Sequence, residues 1–103
     1  MIKVSVLYPN GEGSRFDIDY YCSNHMPMVR EKLGSACKGV AVEQGVCGVV
    51  PGASAPFAAL GHLLFNSLDE FQVAFGPHAA TFMADIPNFT NIQPVVQISS
   101  VRI

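Results

Sequence analysis

Residues 19–29, DYYCSNHMPMV, gather two tyrosines, an asparagine and a histidine just ahead of a proline. Pro27 has no amide hydrogen, and within a helix its ring would meet the carbonyl of Ser23. The segment is therefore expected either to end near Asn24 or to kink there, with Pro27 opening a second helical stretch through Leu33. Either outcome leaves carbonyls around Ser23 short of partners. In one reading a neighbouring carbonyl fixes the tautomer of His25 beside such a break, and its other nitrogen is free to act as acid or base. The competing structural reading is that His25 only caps the break, the commoner role for a polar residue there.

Few other residues offer chemistry. His62 stands alone in the apolar run ALGHLLF. It reads either as a core histidine bonded to a backbone carbonyl or as a polar group projecting into a ligand cavity. Asp85 lies just before Pro87, as a catalytic acid or as a carboxylate holding the connection through backbone amides. His78 follows Pro77 in a surface turn and carries little weight. No HxH or HxxxH pair is present, and the acidic residues are scattered, so a metal site has little support. Cys22 precedes His25 by three positions and reads as an inert thiol rather than a nucleophile. The turn PNGEG lacks both the Lys-Ser/Thr ending of a P-loop and the GxGxxG spacing.

The 103 residues suit one domain spanning 1–103. Half are hydrophobic and only 14% are charged, a low share for a small protein with so much surface to cover. A net charge of -2 and scattered basic residues argue against nucleic-acid binding. The N-terminus lacks the pattern of a signal peptide, and no run reaches the roughly 20 apolar residues of a membrane span. Cys22, Cys37 and Cys47 have no CxxC spacing and read as reduced thiols of a cytoplasmic protein. The sequon NFT at Asn88 is then a coincidence.

These side chains need a frame. Ile2 to Tyr8 read as a strand closed by PNGEG. Ser14, three residues before Asp17, suggests a helix beginning at Arg15. GVAVEQGVCGVV is a second strand that Gly45 and Gly48 interrupt or end early, and ALGHLLF is a third. Ser67 and Glu70 form a capping box for LDEFQVAF, whose Leu68, Phe71 and Phe75 make one apolar stripe that Gly76 and Pro77 stop. HAATFMAD is a short helix ended by Pro87, and NIQPVVQISSVRI supplies the last strand. The order β-α-β-β-α-β is the ferredoxin-like, α+β arrangement, an antiparallel sheet with its helices on one face. Leu60, His62 and Leu64 point opposite to Gly61, Leu63 and Phe65. The face without helices needs a cover, and a second copy of the chain is the simplest one. A homodimer through sheet faces is expected.

YP at the end of the first strand, FDIDYYCSNHMPMV, the apolar strand leading into FNSLDEFQVAF, and DIPNFTNIQPVVQIS together resemble the EthD family, over almost the whole chain. The resemblance implies a dimeric α+β barrel. That family is named for a bacterial gene cluster that degrades a fuel ether, where its member accompanies a cytochrome monooxygenase. Fungal relatives act as cofactor-free dehydratases or decarboxylases on polyketide-like aromatics. The resemblance implies His25 as the catalytic acid–base group, with His62, Phe75, Asp85 and either Tyr20 or Tyr21, whose adjacent positions cannot both point inward, about a small apolar, aromatic or ether-type substrate. Asp85 and Asn88 belong to a family motif. No cofactor is expected. The implied activity is an oxidation, elimination or isomerisation. The alternatives are a non-catalytic carrier or accessory to a partner oxygenase, and a haem-binding relative using His25 or His62 as axial ligand. Neither nucleic acid nor membrane is an expected partner.

Overall fold

Alternation along the strands divides the molecule. In the computed structural model, which describes all of residues 1–103, β1 (Ile2–Pro9), β2 (Gly39–Gln44), β3 (Phe57–Phe65) and β4 (Val95–Ser100) form one sheet of order β2-β3-β1-β4. All pairings are antiparallel, with Val4 opposite Leu63 and Ile98, and Ser5 opposite His62 and Gln97. Val4, Tyr8, Ala59, Leu63 and Phe65 point to one face and are buried beneath the helices. This is the expected ferredoxin-like order, with the β1 and β3 pair at the centre of the sheet.

The helical layer comprises α1 (Ile18–Tyr20), a π-helical turn (Tyr21–His25), α2 (Met26–Leu33), α3 (Leu68–Phe75) and α4 (Ala79–Asp85). Short 3-10 turns follow α2, α3 and α4. The Ser67 cap forms as expected, its hydroxyl accepting the Glu70 amide at 3.2 Å. The first helix starts later than expected. Its cap is Asp17, whose carboxylate accepts the Tyr20 amide at 3.0 Å, in place of Ser14. The reason is Phe16, which packs edge-on against Tyr8 and Tyr21 at centroid distances of 4.9 and 5.1 Å. That placement draws residue 16 into an extended bridge with Thr90.

Nor does the chain break ahead of Pro27. Helical dihedrals run through Tyr21, His25 and Met26, and the Met26 amide donates to the Tyr21 carbonyl, five residues back. The turn widens where Pro27, with no N–H to give, falls in the first turn of α2. Strand β2 stops at Gln44 rather than reaching residue 50. At Gly45 any Cβ would collide with the Phe57 carbonyl, so the exit from the strand requires glycine.

Two aromatic groups fill the core. Tyr8, Phe16, Tyr21 and Phe89 meet edge to face, and Phe65, Phe71, Phe75 and Phe82 form a second chain of ring contacts. Each such pair contributes about 0.5–1.5 kcal/mol beyond its area. On the opposite face of the sheet Leu7, Leu60 and Leu64 are half-buried with no helix over them, and Val95 is 52% exposed. No helix is long and apolar enough to cross a membrane.

Candidate functional site

The π turn has a geometric consequence. Residues five apart lie roughly 140° apart around an α-helix, so Tyr20 and His25 would point away from each other. A wider turn, closed by i to i+5 hydrogen bonds, brings them to one side. There both meet a single carboxylate, Asp85, at the end of α4. His25 Nδ1 lies 2.8 Å from Asp85 Oδ2. Asp85 Oδ1 accepts the Tyr20 hydroxyl at 2.8 Å and the Asn88 side-chain amide at 2.9 Å. His25 is only 6% exposed, stacked on Tyr21 at 5.4 Å and 15° and tilted against Phe89 at 4.7 Å.

Burial pushes the Asp85 carboxyl upward, but the hydrogen bonds from Asn88, His25 and Tyr20 outweigh it and hold the group below its usual 3.8. Asp85 is therefore ionised near neutral pH and can only accept. A neutral His25 then carries its proton on Nδ1, leaving the Nε2 lone pair free. Nε2 takes no hydrogen bond, and no buried side-chain nitrogen or oxygen lacks a partner, so Nε2 reaches solvent-accessible surface. The Tyr20 phenol is raised above 10.0, chiefly by its hydrogen bond to Asp85 and then by burial, and stays a donor. A carboxylate thus sets the tautomer and one imidazole nitrogen faces outward, an arrangement chemically able to take up or give a proton.

The expected partners of His25 sort differently. The structure brings Asp85 to it directly, and Tyr20 to the other oxygen of Asp85. The Asp85 contacts are side chains, not the backbone amides expected of a turn-holding aspartate. The His25 side chain caps nothing, and its tautomer is set by a carboxylate rather than a carbonyl. Tyr21 stacks on the ring from below, and its hydroxyl runs under the sheet to the spot where Gly61 has no side chain. Burial also pushes the neighbouring Tyr8 phenol up to about 12, the Tyr21 hydroxyl offsetting part of the shift.

His62 and Phe75 do not share this site. Even-numbered residues of β3 face away from the helices, so His62 stands on the open face. There Nδ1 lies 2.9 Å from Ser5 Oγ and Nε2 lies 2.9 Å from Glu43 Oε1. With both ring nitrogens bonded, His62 has none to spare for a ligand. Phe75 packs between Phe71 and Phe82 in the other aromatic group. No three His, Cys, Asp or Glu side chains converge as a metal site. Asn88 and Phe89 complete the surroundings of His25. The resemblance already groups Asn88 with Asp85, and their spacing of one helical turn is the physical signal for it. Phe89 lies in the same segment, but no local pattern there assigns it a role. Surface grooves also lie elsewhere; one, about 370 Å³, runs between α2 and β2, lined by Cys22, Met26, Pro27, Arg30, Val40 and Val42 among others.

The fold and this pair define an α+β protein of ferredoxin-like topology with a carboxylate-oriented histidine in its helical layer. The EthD domain profile matches residues 11–93. An EthD-like protein from Ralstonia eutropha JMP134 is 47% identical, with a TM-score of 0.95 over 99% of this chain and 92% of that one. An ethyl tert-butyl ether D (EthD) family protein from Bacillus halodurans C-125 is 17% identical, with a TM-score of 0.68 over 99% of each chain. A dimeric protein of ferredoxin-like fold from Bacteroides fragilis NCTC 9343 is 13% identical, with a TM-score of 0.56 over 97% of this chain and 95% of that one. No protein with a curated description matches. The chain belongs to the EthD family.

Proposed function

We propose that this EthD-family protein binds a small apolar molecule, aromatic or ether-type, and acts on it without a cofactor, with His25 Nε2 taking or delivering the proton. The observation that carries the reading is the 2.8 Å contact between His25 Nδ1 and Asp85 Oδ2, reinforced on the other oxygen by Tyr20 and Asn88. A histidine that only filled the core would satisfy itself with a backbone carbonyl. This one is backed by an ionised group and held between two aromatic rings. Apolar neighbours favour an apolar substrate with a polar atom at the reacting position. An elimination or isomerisation that begins with proton abstraction beside a carbonyl suits a single base, because neither changes the electron count of the substrate.

The working unit in this reading is a homodimer through the open sheet face. Leu7, Leu60, Leu64 and Val95 supply apolar surface there that no helix covers. A carrier that delivers its ligand to a partner oxygenase is the rival reading, favoured by the absence of a second strong acid or base facing His25. Both readings meet in one experiment. Simple phenols and dialkyl ethers are titrated into protein carrying 15N-labelled histidine, and any saturating compound is assayed for turnover. The catalytic reading requires the His25 Nε2 resonance to move and turnover to collapse in His25→Ala. Saturable binding with no turnover, or turnover indifferent to His25→Ala, overturns it.

A further inference from the structure

His25 and Asp85 come from segments 60 residues apart. Their contact depends on how the start of the first helix is tied to the turn after α4. We infer that Asp17 and Thr90 are positioning residues for the His25–Asp85 pair: they brace the turn that carries Asp85 against the helical start that carries Tyr20 and His25. The purpose assigned to this brace rests on the role proposed above for His25, whereas its geometry does not.

Asp17 works on both sides at once. Its amide donates to the Phe89 carbonyl at 2.7 Å. Its carboxylate accepts the Tyr20 amide, and its carbonyl accepts the Tyr21 amide, each at 3.0 Å. Tyr20 is itself a donor to Asp85. Thr90 is 3% exposed. Its hydroxyl donates to the Arg15 carbonyl at 2.6 Å and accepts the Ile92 amide at 3.0 Å. Its own amide donates to the carbonyl of Ile86, the residue after Asp85, at 3.0 Å. Asn91 adds a third tie: its side chain accepts the Arg15 amide at 2.8 Å and donates to the Gly13 carbonyl at 3.0 Å.

This stub of paired backbone lies outside the sheet and joins the two segments that hold the halves of the site. Hydrogen-bonded constellations tolerate about half an ångström of error before they loosen. A buried threonine hydroxyl bonded on both sides supplies that precision, and valine, of the same shape, cannot.

The test is read by NMR on protein labelled with 13C-aspartate and 15N-histidine, which needs no substrate. In Thr90→Val the Asp85 carboxyl titration midpoint is expected to rise toward the ordinary carboxylate range. The His25 nitrogen shifts are expected to move from the Nδ1–H tautomer toward a mixture of both, and Thr90→Ser restores the native values. The exposed Asp17→Ala and Asn91→Ala variants shift both signals the same way and carry the test if Thr90→Val does not fold. Phe75→Leu, which loosens the distant aromatic group, leaves both unchanged. Folded brace variants with native Asp85 and His25 signals would overturn the inference, as would an equal shift in Phe75→Leu. Turnover indifferent to His25→Ala, with these shifts present, would remove the proposed function and leave the brace standing.

Discussion

Tyr20 and His25 grip the two oxygens of one carboxylate from a single helical segment, the phenol at 2.8 Å from Asp85 Oδ1 and the imidazole at 2.8 Å from Oδ2. Only the π turn between them permits this, because a regular α-helix would turn the two side chains apart. Pro27, expected to end or kink the helix, sits just after that turn. The irregularity is thus where the candidate site is assembled, as π turns often accompany functional positions.

Asp85 is held below 3.8 in the folded protein. Its stabilising contribution is then complete above that value, and it is lost as pH falls through the lower, folded-state value. Urea unfolding of the wild type is expected to show stability falling with pH below about 4, and Asp85→Asn should flatten that part of the curve. At pH 7, Asp85→Ala should cost about 1–3 kcal/mol, since His25, Tyr20 and Asn88 all lose their acceptor. Equal pH slopes in wild type and Asp85→Asn would refute the assignment.

For a compound found to turn over, His25→Ala should reduce kcat/KM by about 10²–10⁴-fold, the usual weight of a general acid–base group. Asp85→Asn keeps the shape but lets the ring adopt either tautomer, so its loss should fall mainly on kcat. Tyr20→Phe, which removes one donor from the carboxylate, should cost less than either. Steady-state kinetics on the three variants checks the order.

Gly61 leaves room beneath β3 for the Tyr21 hydroxyl, and any Cβ there would collide with it. Gly61→Ala should destabilise by about 1–3 kcal/mol through overpacking. In a Tyr21→Phe background the same change should cost less, because the colliding oxygen is gone. Chemical denaturation of the four proteins of this cycle measures the coupling, and additive effects would contradict the contact.

A charge on the open face should separate the proposed dimer without unfolding the chain. Leu60 is half-buried there and lies outside the core. Leu60→Glu is expected to sediment as a single chain with a near-native circular dichroism spectrum, and wild type as a two-chain species. A wild type that sediments as a single chain at micromolar concentration would refute this.

How much of this was legible beforehand differs by residue. The strand alternation at Val4, Leu63 and Phe65, the Ser67 capping box and the stop at Pro87 could all be read directly. Each depends on neighbours within a few positions, where side-chain period and local hydrogen bonding decide the outcome. The start of the first helix was misjudged because Ser14 is a sound local cap, yet Phe16 gains more by entering the aromatic core. His62 was grouped with His25 because residue type suggests a role but not a direction; one step of strand parity puts it on the other face.

The sequence by itself determined the layer architecture, the uncovered face and the position of His25 beside a helix irregularity, since these follow from hydrophobic period and from where proline and polar groups interrupt it. Only the tertiary structure decided that Asp85 is the partner of that histidine and that Tyr20 and Asn88 hold the carboxylate. Contacts between segments so far apart are set by how helices pack across a sheet, and no local pattern encodes a distance of that kind.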